Sequence, residues 1–220
     1  MRMFSSIQRL RECGDHFYWC GMARCPRCAA QRNRKYRAQA FAALSGSPLA
    51  TAYAVTLTLP SMPSQPLDAA WNDLDAVTDH LLSRSWLTAQ AGRSRGGYVR
   101  TVEVTHPAPD RWHVHQHLLI VSRNVLPARF PSQLTARWIA CARRIGIDAD
   151  PAAQHAHQLD RSGVFAWAAY IHKGTTDFAL IDAASTGDAD AAESWAEFEH
   201  AADGRTTHAI GGGIFRHRRT

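Results

Sequence analysis

Three histidines alternate along one run of the chain, and this pattern limits the possible fold more than any other feature. The run is Trp112–Ile120, in which His113, His115 and His117 are separated by single residues. Because alternate side chains of a β-strand share a face, the three imidazoles are predicted to point the same way. Neutral imidazole is a common metal ligand, so this strand is a candidate metal-binding element. The alternative is a solvated strand face on which histidines cluster by chance.

A predicted hairpin places a carboxylate beside this row. Residues 98–105 read as a strand, 106–110 read as a turn, and a turn centred on Pro109 pairs Glu103 with His115. Paired Cβ atoms lie about 5 Å apart, close enough for a carboxylate and two imidazoles to share one ion. A slip of one residue would turn Glu103 to the other face. Two histidines and one carboxylate with open positions suit Mg²⁺ or Mn²⁺ that also binds phosphate oxygens.

Charge is distributed unevenly along the chain. The net charge is +6, and residues 1–40 carry nine Arg or Lys against two acidic residues. Such a basic region favours a polyanionic partner, nucleic acid before membrane. No apolar leader follows Met1 and no apolar run of membrane-spanning length is present, so we expect a cytoplasmic protein without membrane contact or disulfides.

Four of the five cysteines lie close together near the N-terminus, at Cys13, Cys20, Cys25 and Cys28. The two-residue gap between Cys25 and Cys28 is typical of a zinc knuckle, and Cys13 and Cys20 complete a four-thiolate set, for which His16 is an alternative ligand. The rival interpretation is a redox Cys-x-x-Cys motif, but that motif opens a helix after a strand, and no such unit is visible. The sequence therefore predicts a structural Zn²⁺ site that stabilises a small element.

A basic helix is predicted directly after the cysteines, over residues 29–44. Its candidate DNA contacts are the four cations Arg32, Arg34, Lys35 and Arg37. For any single one of them, a solvated helix face is an equally good interpretation. We divide the chain into a zinc-binding knuckle with this basic helix, residues 1–45, and a larger domain, residues 46–220.

The remaining periodicities predict a strand at 52–59 and helices at 68–87, 132–145, 162–173 and 192–202. In the helix 132–145, Leu134, Trp138, Cys141 and Ile145 are expected to point inward. The helix 162–173, with Ser162 as its cap, carries Tyr170 and Lys173 on one face. The chain has only two lysines, and lysine is a compact charge whose pKa can be tuned, which suggests a chemical role. From this helix alone, Tyr170 is more simply a core aromatic beside Trp167.

Taken together, these motifs resemble the HUH endonucleases, and most of all the plasmid rolling-circle replication initiators with a single catalytic tyrosine. The matching features occur in the order Val55–Thr58, Glu103, His115–Leu119, Tyr170 and Lys173. The cysteine cluster and the segment Trp195–Arg205 also resemble that family. Gln116 departs from the pattern, because the family prefers a hydrophobe there, so His113 is kept as a neighbour or substitute ligand.

The resemblance implies an α+β fold, in which helices flank a central antiparallel sheet (the HUH endonuclease fold), with a small N-terminal zinc-binding element. It implies a catalytic metal on Glu103, His115 and His117, attack by Tyr170 and stabilisation of the phenolate by Lys173. The activity would be site-specific nicking and joining of single-stranded or hairpin origin DNA through a 5′-phosphotyrosine. The sequence has no phosphate-binding Gly-Lys-Ser/Thr loop, so helicase and polymerase would come from the host. The alternatives are a transposase or relaxase of the same type and, from another class, a non-catalytic zinc-containing DNA-binding regulator.

Overall fold

The computed structural model of the chain describes residues 12–13, 25–46, 48–82, 84–91, 95–108, 111–172, 180, 183–184, 186–212 and 215. At the centre of the described part lies an antiparallel sheet with the strand order β4-β1-β3-β2-β5. Its five strands are β1 Thr51–Thr58, β2 Gly96–Ala108, β3 Arg111–Ser122, β4 His155–Gln158 and β5 His208–Gly212. The predicted α+β architecture, a central antiparallel sheet with flanking helices, is confirmed.

Helices cover both faces of this sheet. They are α1 Pro26–Ser45, α2 Leu67–Leu81, α3 Arg84–Ala91, α4 Phe130–Arg144, α5 Arg161–Tyr170 and α6 Ala189–Ala202. Helix α5 and the second half of α1 pack on one face, and the other four helices pack on the opposite face. None of the helices in the described ranges combines the length and the apolar character that crossing a bilayer requires.

The strict alternation along β3 explains this layered arrangement. Trp112, Val114 and Leu118 point into the larger core, where α2 contributes Trp71 and α4 contributes Trp138. The intervening side chains point to the face of α1 and α5, where a smaller core contains Leu119 and Val121. The histidines lie on this second face, beyond the end of its apolar cover, so they form the floor of a partly open region.

The β2–β3 register agrees with the prediction. Glu103 pairs with His115, and the regular pairing continues to Thr105 opposite His113. The strand is longer than expected, because β2 runs to Ala108 across a register irregularity, whereas residues 106–110 were expected to form a turn. A bulge of this kind accommodates Pro107, which has no N–H to donate to a regular ladder.

Three helix predictions need correction. The segment 68–87 is split into α2 and α3, and both parts bury apolar side chains in the same core. A single straight helix of that length, about 30 Å, would have carried its end away from this core. The cap of α5 is Asp160, whose carboxylate accepts a 2.7 Å hydrogen bond from Gly163 N, rather than Ser162. Ile145, expected to point inward, is 38% exposed because it lies just beyond the end of α4.

Candidate metal centre and neighbouring tyrosine

Strands β2 and β3 bring one carboxylate and two imidazoles together. Glu103 Oε2 lies 2.8 Å from His117 Nε2 and 3.3 Å from His115 Nε2. One ligand atom from each of the three residues lies within 4.8 Å of the others. The cause is the register, because the partner of Glu103 across the ladder is His115 and the next histidine on that face follows two residues later. The group could therefore hold a metal ion.

A hydroxyl from β1 orients one of these imidazoles. Thr56 pairs with His117 across the β1–β3 ladder, and its Oγ1 lies 3.0 Å from His117 Nδ1. When this hydroxyl accepts a hydrogen bond from Nδ1, the lone pair of Nε2 points toward Glu103. That is the tautomer that a metal ligand needs. His115 has no equivalent partner, since its Nδ1 is buried without a hydrogen bond among the described residues.

His113 lies outside the group of three. Its Nδ1 lies 2.8 Å from Ser61 Oγ and its Nε2 lies 3.3 Å from Thr58 Oγ1, so hydroxyls engage both ring nitrogens. Burial, with a contribution from the neighbouring His115, lowers the pKa of His113. The structure thus places His113 beside the candidate metal centre, in contact with the hydroxyls of β1 and the loop that follows.

Helix α5 places Tyr170 over the same face of the sheet. The Trp167 indole donates a 2.9 Å hydrogen bond to Leu118 O, which fixes the helix against β3. Trp167 and Tyr170 stack with 5.0 Å between ring centroids, and the Tyr170 ring lies 5.4 Å from the His117 ring. Tyr170 is 42% exposed, so the phenol is not a core aromatic. Lys173 lies outside the described residues.

Three of the four predicted zinc ligands converge at the start of α1. Cys13, Cys25 and Cys28 are all buried, and one sulfur atom from each lies within 4.8 Å of the others. The Sγ atoms of Cys13 and Cys28 are 3.5 Å apart. Arg27 also donates a hydrogen bond to the Cys13 carbonyl. Cys20 and the alternative ligand His16 lie outside the described residues.

The predicted basic residues lie on α1, which shares the candidate site's face of the sheet with α5. Arg34, Lys35 and Arg37 are exposed, and Arg32 is half-buried. Burial lowers the pKa of His172, two residues beyond Tyr170, and the positive charge of Arg37 adds a smaller effect in the same direction. The basic helix is thus close to the end of the tyrosine helix.

Three rings connect α1 to the end of α5. Tyr36 stacks on His208 with 5.3 Å between ring centroids, and His208 stacks on His172 at the same spacing. Burial lowers the pKa of His208 to about 4, with smaller effects from His172 and Arg32. This stack fills the side of the sheet at β5.

Sequence reasoning missed the histidines that β4 and β5 contribute to this face, which are His155, His157 and His208. The available signal was that His155 and His157 repeat the His-x-His spacing of β3. His157 contacts the site through Trp167, at 6.2 Å between ring centroids.

A comparison with protein families bears on this geometry. The profile of the family Rep_1, described as replication protein, matches residues 15–142, which is more than half of the chain. The chain belongs to this replication protein family. A replication protein of this family acts in plasmid replication, and replication implies DNA as the partner. The resemblance to plasmid initiators is therefore confirmed at the level of the family.

The matched stretch covers only part of the site. It includes Glu103, His115 and His117 of this replication protein, whereas Tyr170 and Lys173 lie beyond its end. Searches of curated proteins and of solved structures gave no significant match. The role of the tyrosine therefore has to be argued from the geometry.

Proposed function

We propose that this replication protein nicks and rejoins single-stranded DNA at a plasmid origin, with Tyr170 as the nucleophile. One observation carries the proposal. An exposed phenol lies 5.4 Å, between ring centroids, from an imidazole whose Nε2 is 2.8 Å from a carboxylate oxygen. A phosphodiester that bridges these groups would meet a nucleophile on one side and a cation-binding set on the other.

The residues that would hold a catalytic divalent cation are Glu103, His115 and His117. One carboxylate and two imidazoles with open positions fit a divalent cation, and we propose Mg²⁺ or Mn²⁺ because the carboxylate suits both ions and the open positions suit phosphate oxygens. Three acceptor atoms within 4.8 Å would repel one another unless a proton or cation lies between them. When bound, the cation supplies Lewis-acid polarisation of a phosphate oxygen.

The chain's own residues then determine the reaction. The Tyr170 phenol oxygen attacks phosphorus, a P–O bond to tyrosine forms, and the bond from phosphorus to the 3′-oxygen breaks. Across the whole step, the phenol loses one proton and the departing 3′-oxygen gains one, so the 3′ end leaves as a hydroxyl. Trp167 restricts the phenol by stacking on it, which keeps the ring near His117. Lys173 is proposed to stabilise the phenolate.

The products explain why such a step serves replication. The free 3′-hydroxyl is a primer that a host polymerase can extend, after a host helicase has separated the strands. The 5′-phosphotyrosine retains the energy of the broken bond, so attack by a new 3′-hydroxyl can release the protein and join the strand. We propose that Arg32, Arg34, Lys35 and Arg37 contact phosphates of the origin DNA.

We also propose a structural Zn²⁺ on the N-terminal cysteines. The convergence of three buried cysteine sulfurs supports it, since closely spaced thiolates are typical ligands of a structural zinc ion. The ion would fix Cys25 and Cys28 at the first turn of α1 and so hold the basic helix in place.

The proposal is tested with wild-type protein, Tyr170→Phe and the control Tyr36→Phe. Each is incubated with Mn²⁺ or Mg²⁺ and single-stranded oligonucleotides tiled across the replicon that carries the gene. We expect a covalent adduct from wild type and Tyr36→Phe, with Tyr170 identified by mass spectrometry, and none from Tyr170→Phe, which still binds the DNA. An undiminished adduct in Tyr170→Phe would remove the assignment. Binding without cleavage by wild type would favour the non-catalytic regulator instead.

A further inference from the structure

The face of the sheet that carries the candidate metal centre continues to an open edge. Strand β4 pairs with β1 alone in the described sheet. His155 pairs with Thr56, which pairs with His117 on its other side, so the three side chains lie in one row on the same face. His157 lies two residues further along β4, and both histidines are exposed. The edge strand therefore extends the histidine-bearing floor of the site to the solvent.

The distance from this edge to the site suits a nucleic acid strand. His155 and His117 are two strand spacings apart, about 10 Å, which one or two nucleotides of an extended single strand can span. Trp167 lies in the interval, with 6.2 Å between its ring centroid and that of His157 and 5.6 Å to that of His117. A series of aromatic rings thus leads from β4 to Tyr170.

The polar side chains of this face suit a nucleic acid strand. The described strands place six histidines on it, which are His113, His115, His117, His155, His157 and His208. Among the side chains that these strands place there, Glu103 is the only carboxylate. Imidazoles donate hydrogen bonds to phosphate oxygens and offer flat rings on which bases stack.

We propose that β4 is the track for the DNA strand that flanks the cleaved phosphate, and that His155 and His157 contact the first one or two nucleotides beyond it. The inference rests on the proposed nicking function and adds the path of the substrate. His155 lies in the same row as His117 and donates a hydrogen bond to the phosphate next to the cleaved one. His157 lies beside Trp167, and together they form a surface for one base.

The test measures binding rather than cleavage. Tyr170→Phe protein, which forms no adduct, is titrated with Mn²⁺ present into fluorescent single-stranded oligonucleotides of random sequence and graded length. Affinity is expected to rise with each added nucleotide until the strand covers the face, by about fivefold or more for each nucleotide that stacks. When His155→Ala and His157→Ala are added to Tyr170→Phe, the affinity should stop rising at an oligonucleotide length about two nucleotides shorter. The affinity for oligonucleotides too short to reach β4 should stay within about twofold of that of Tyr170→Phe alone.

A matched control carries His80→Ala and His200→Ala, which remove two exposed imidazoles from α2 and α6 on the opposite side of the sheet. The control should keep the full length dependence. If the β4 variant shows the same length dependence as Tyr170→Phe alone, the inference is overturned. The nicking function would still stand in that case, provided that wild type forms its adduct. No binding of these oligonucleotides by the parent would also overturn the inference, whereas absence of an adduct from wild type with the origin oligonucleotides would overturn the nicking function.

Discussion

Replacing His208 with phenylalanine should remove a measurable part of the acid sensitivity of the fold. His208 lies between Tyr36 and His172 in the ring stack, and its Nδ1 lies 2.9 Å from Thr207 Oγ1. Its Nε2 is buried without a hydrogen-bond partner among the described residues. Burial, His172 and Arg32 all disfavour a positive charge there, and together they lower the pKa from 6.5 to about 4. Phenylalanine keeps a ring in the stack and cannot take up a proton.

The sign and size follow from the difference between the folded and unfolded pKa. Because the folded state resists protonation, the stabilising effect is complete above about pH 6.5 and is lost as the pH falls toward 4. A difference of about 2.5 pKa units corresponds to about 3 kcal/mol over the whole range. Between about pH 7 and pH 5, the free energy of unfolding should fall by about 2 kcal/mol through this one residue. His172, whose pKa is also lowered, acts in the same direction.

The assay is urea unfolding followed by tryptophan fluorescence at several pH values in this range. For each protein, the change in the free energy of unfolding with pH is measured. The value for His208→Phe is then subtracted from the value for wild type, so that titration elsewhere in the chain cancels. The overall stability of the variant does not enter this difference. His80→Gln, which replaces an exposed imidazole of α2, is the matched control substitution. Equal pH dependence in wild type and His208→Phe would refute the reasoning.

Four further outcomes are expected. Thr56→Val should weaken Mn²⁺ binding about tenfold by calorimetry and Thr56→Ser should restore it, because the hydroxyl orients a ligand imidazole. His113→Asn should leave Mn²⁺ affinity within about twofold, since that ring lies outside the ligand group. Cys28→Ser should lower the zinc content measured by elemental analysis, whereas absence of zinc from wild type purified without chelators would contradict the structural site. Arg37→Gln should weaken single-stranded DNA binding and reduce the slope of affinity against salt by about one, as loss of one phosphate contact does.

The hairpin of the candidate site could be predicted from sequence because its information is local. Alternation identifies β3, a short turn links it to β2, and together they fix Glu103 opposite His115. The bulge near Pro107 could not be foreseen, but it lies beyond the last paired histidine and leaves that register intact. The helices α4 and α6 were also visible from their apolar stripes, and α1 was visible as a basic segment with an apolar end.

The two edge strands were missed for a physical reason. Strand β4 has four residues, three of them exposed, and β5 contains two glycines, so neither shows the buried alternation that identifies a strand. Their positions depend on long-range pairing with β1 and β2. The same limit applies to Thr56, because its contact with His117 depends on the register of two strands that are far apart in the chain.

Neighbouring strands of the sheet, rather than consecutive residues of the chain, bring the groups of the site together. Thr56, His117 and Thr101 lie side by side on β1, β3 and β2. Neighbouring strands are about 4.8 Å apart, so such a row brings distant segments within reach of one ion. A slip of one residue in β3 would expose Val114 and bury His115 in the larger core. The slip is unfavourable because apolar burial is lost and a buried polar group is left unpaired. The core on the opposite face of the sheet therefore enforces the register on which the metal ligands depend.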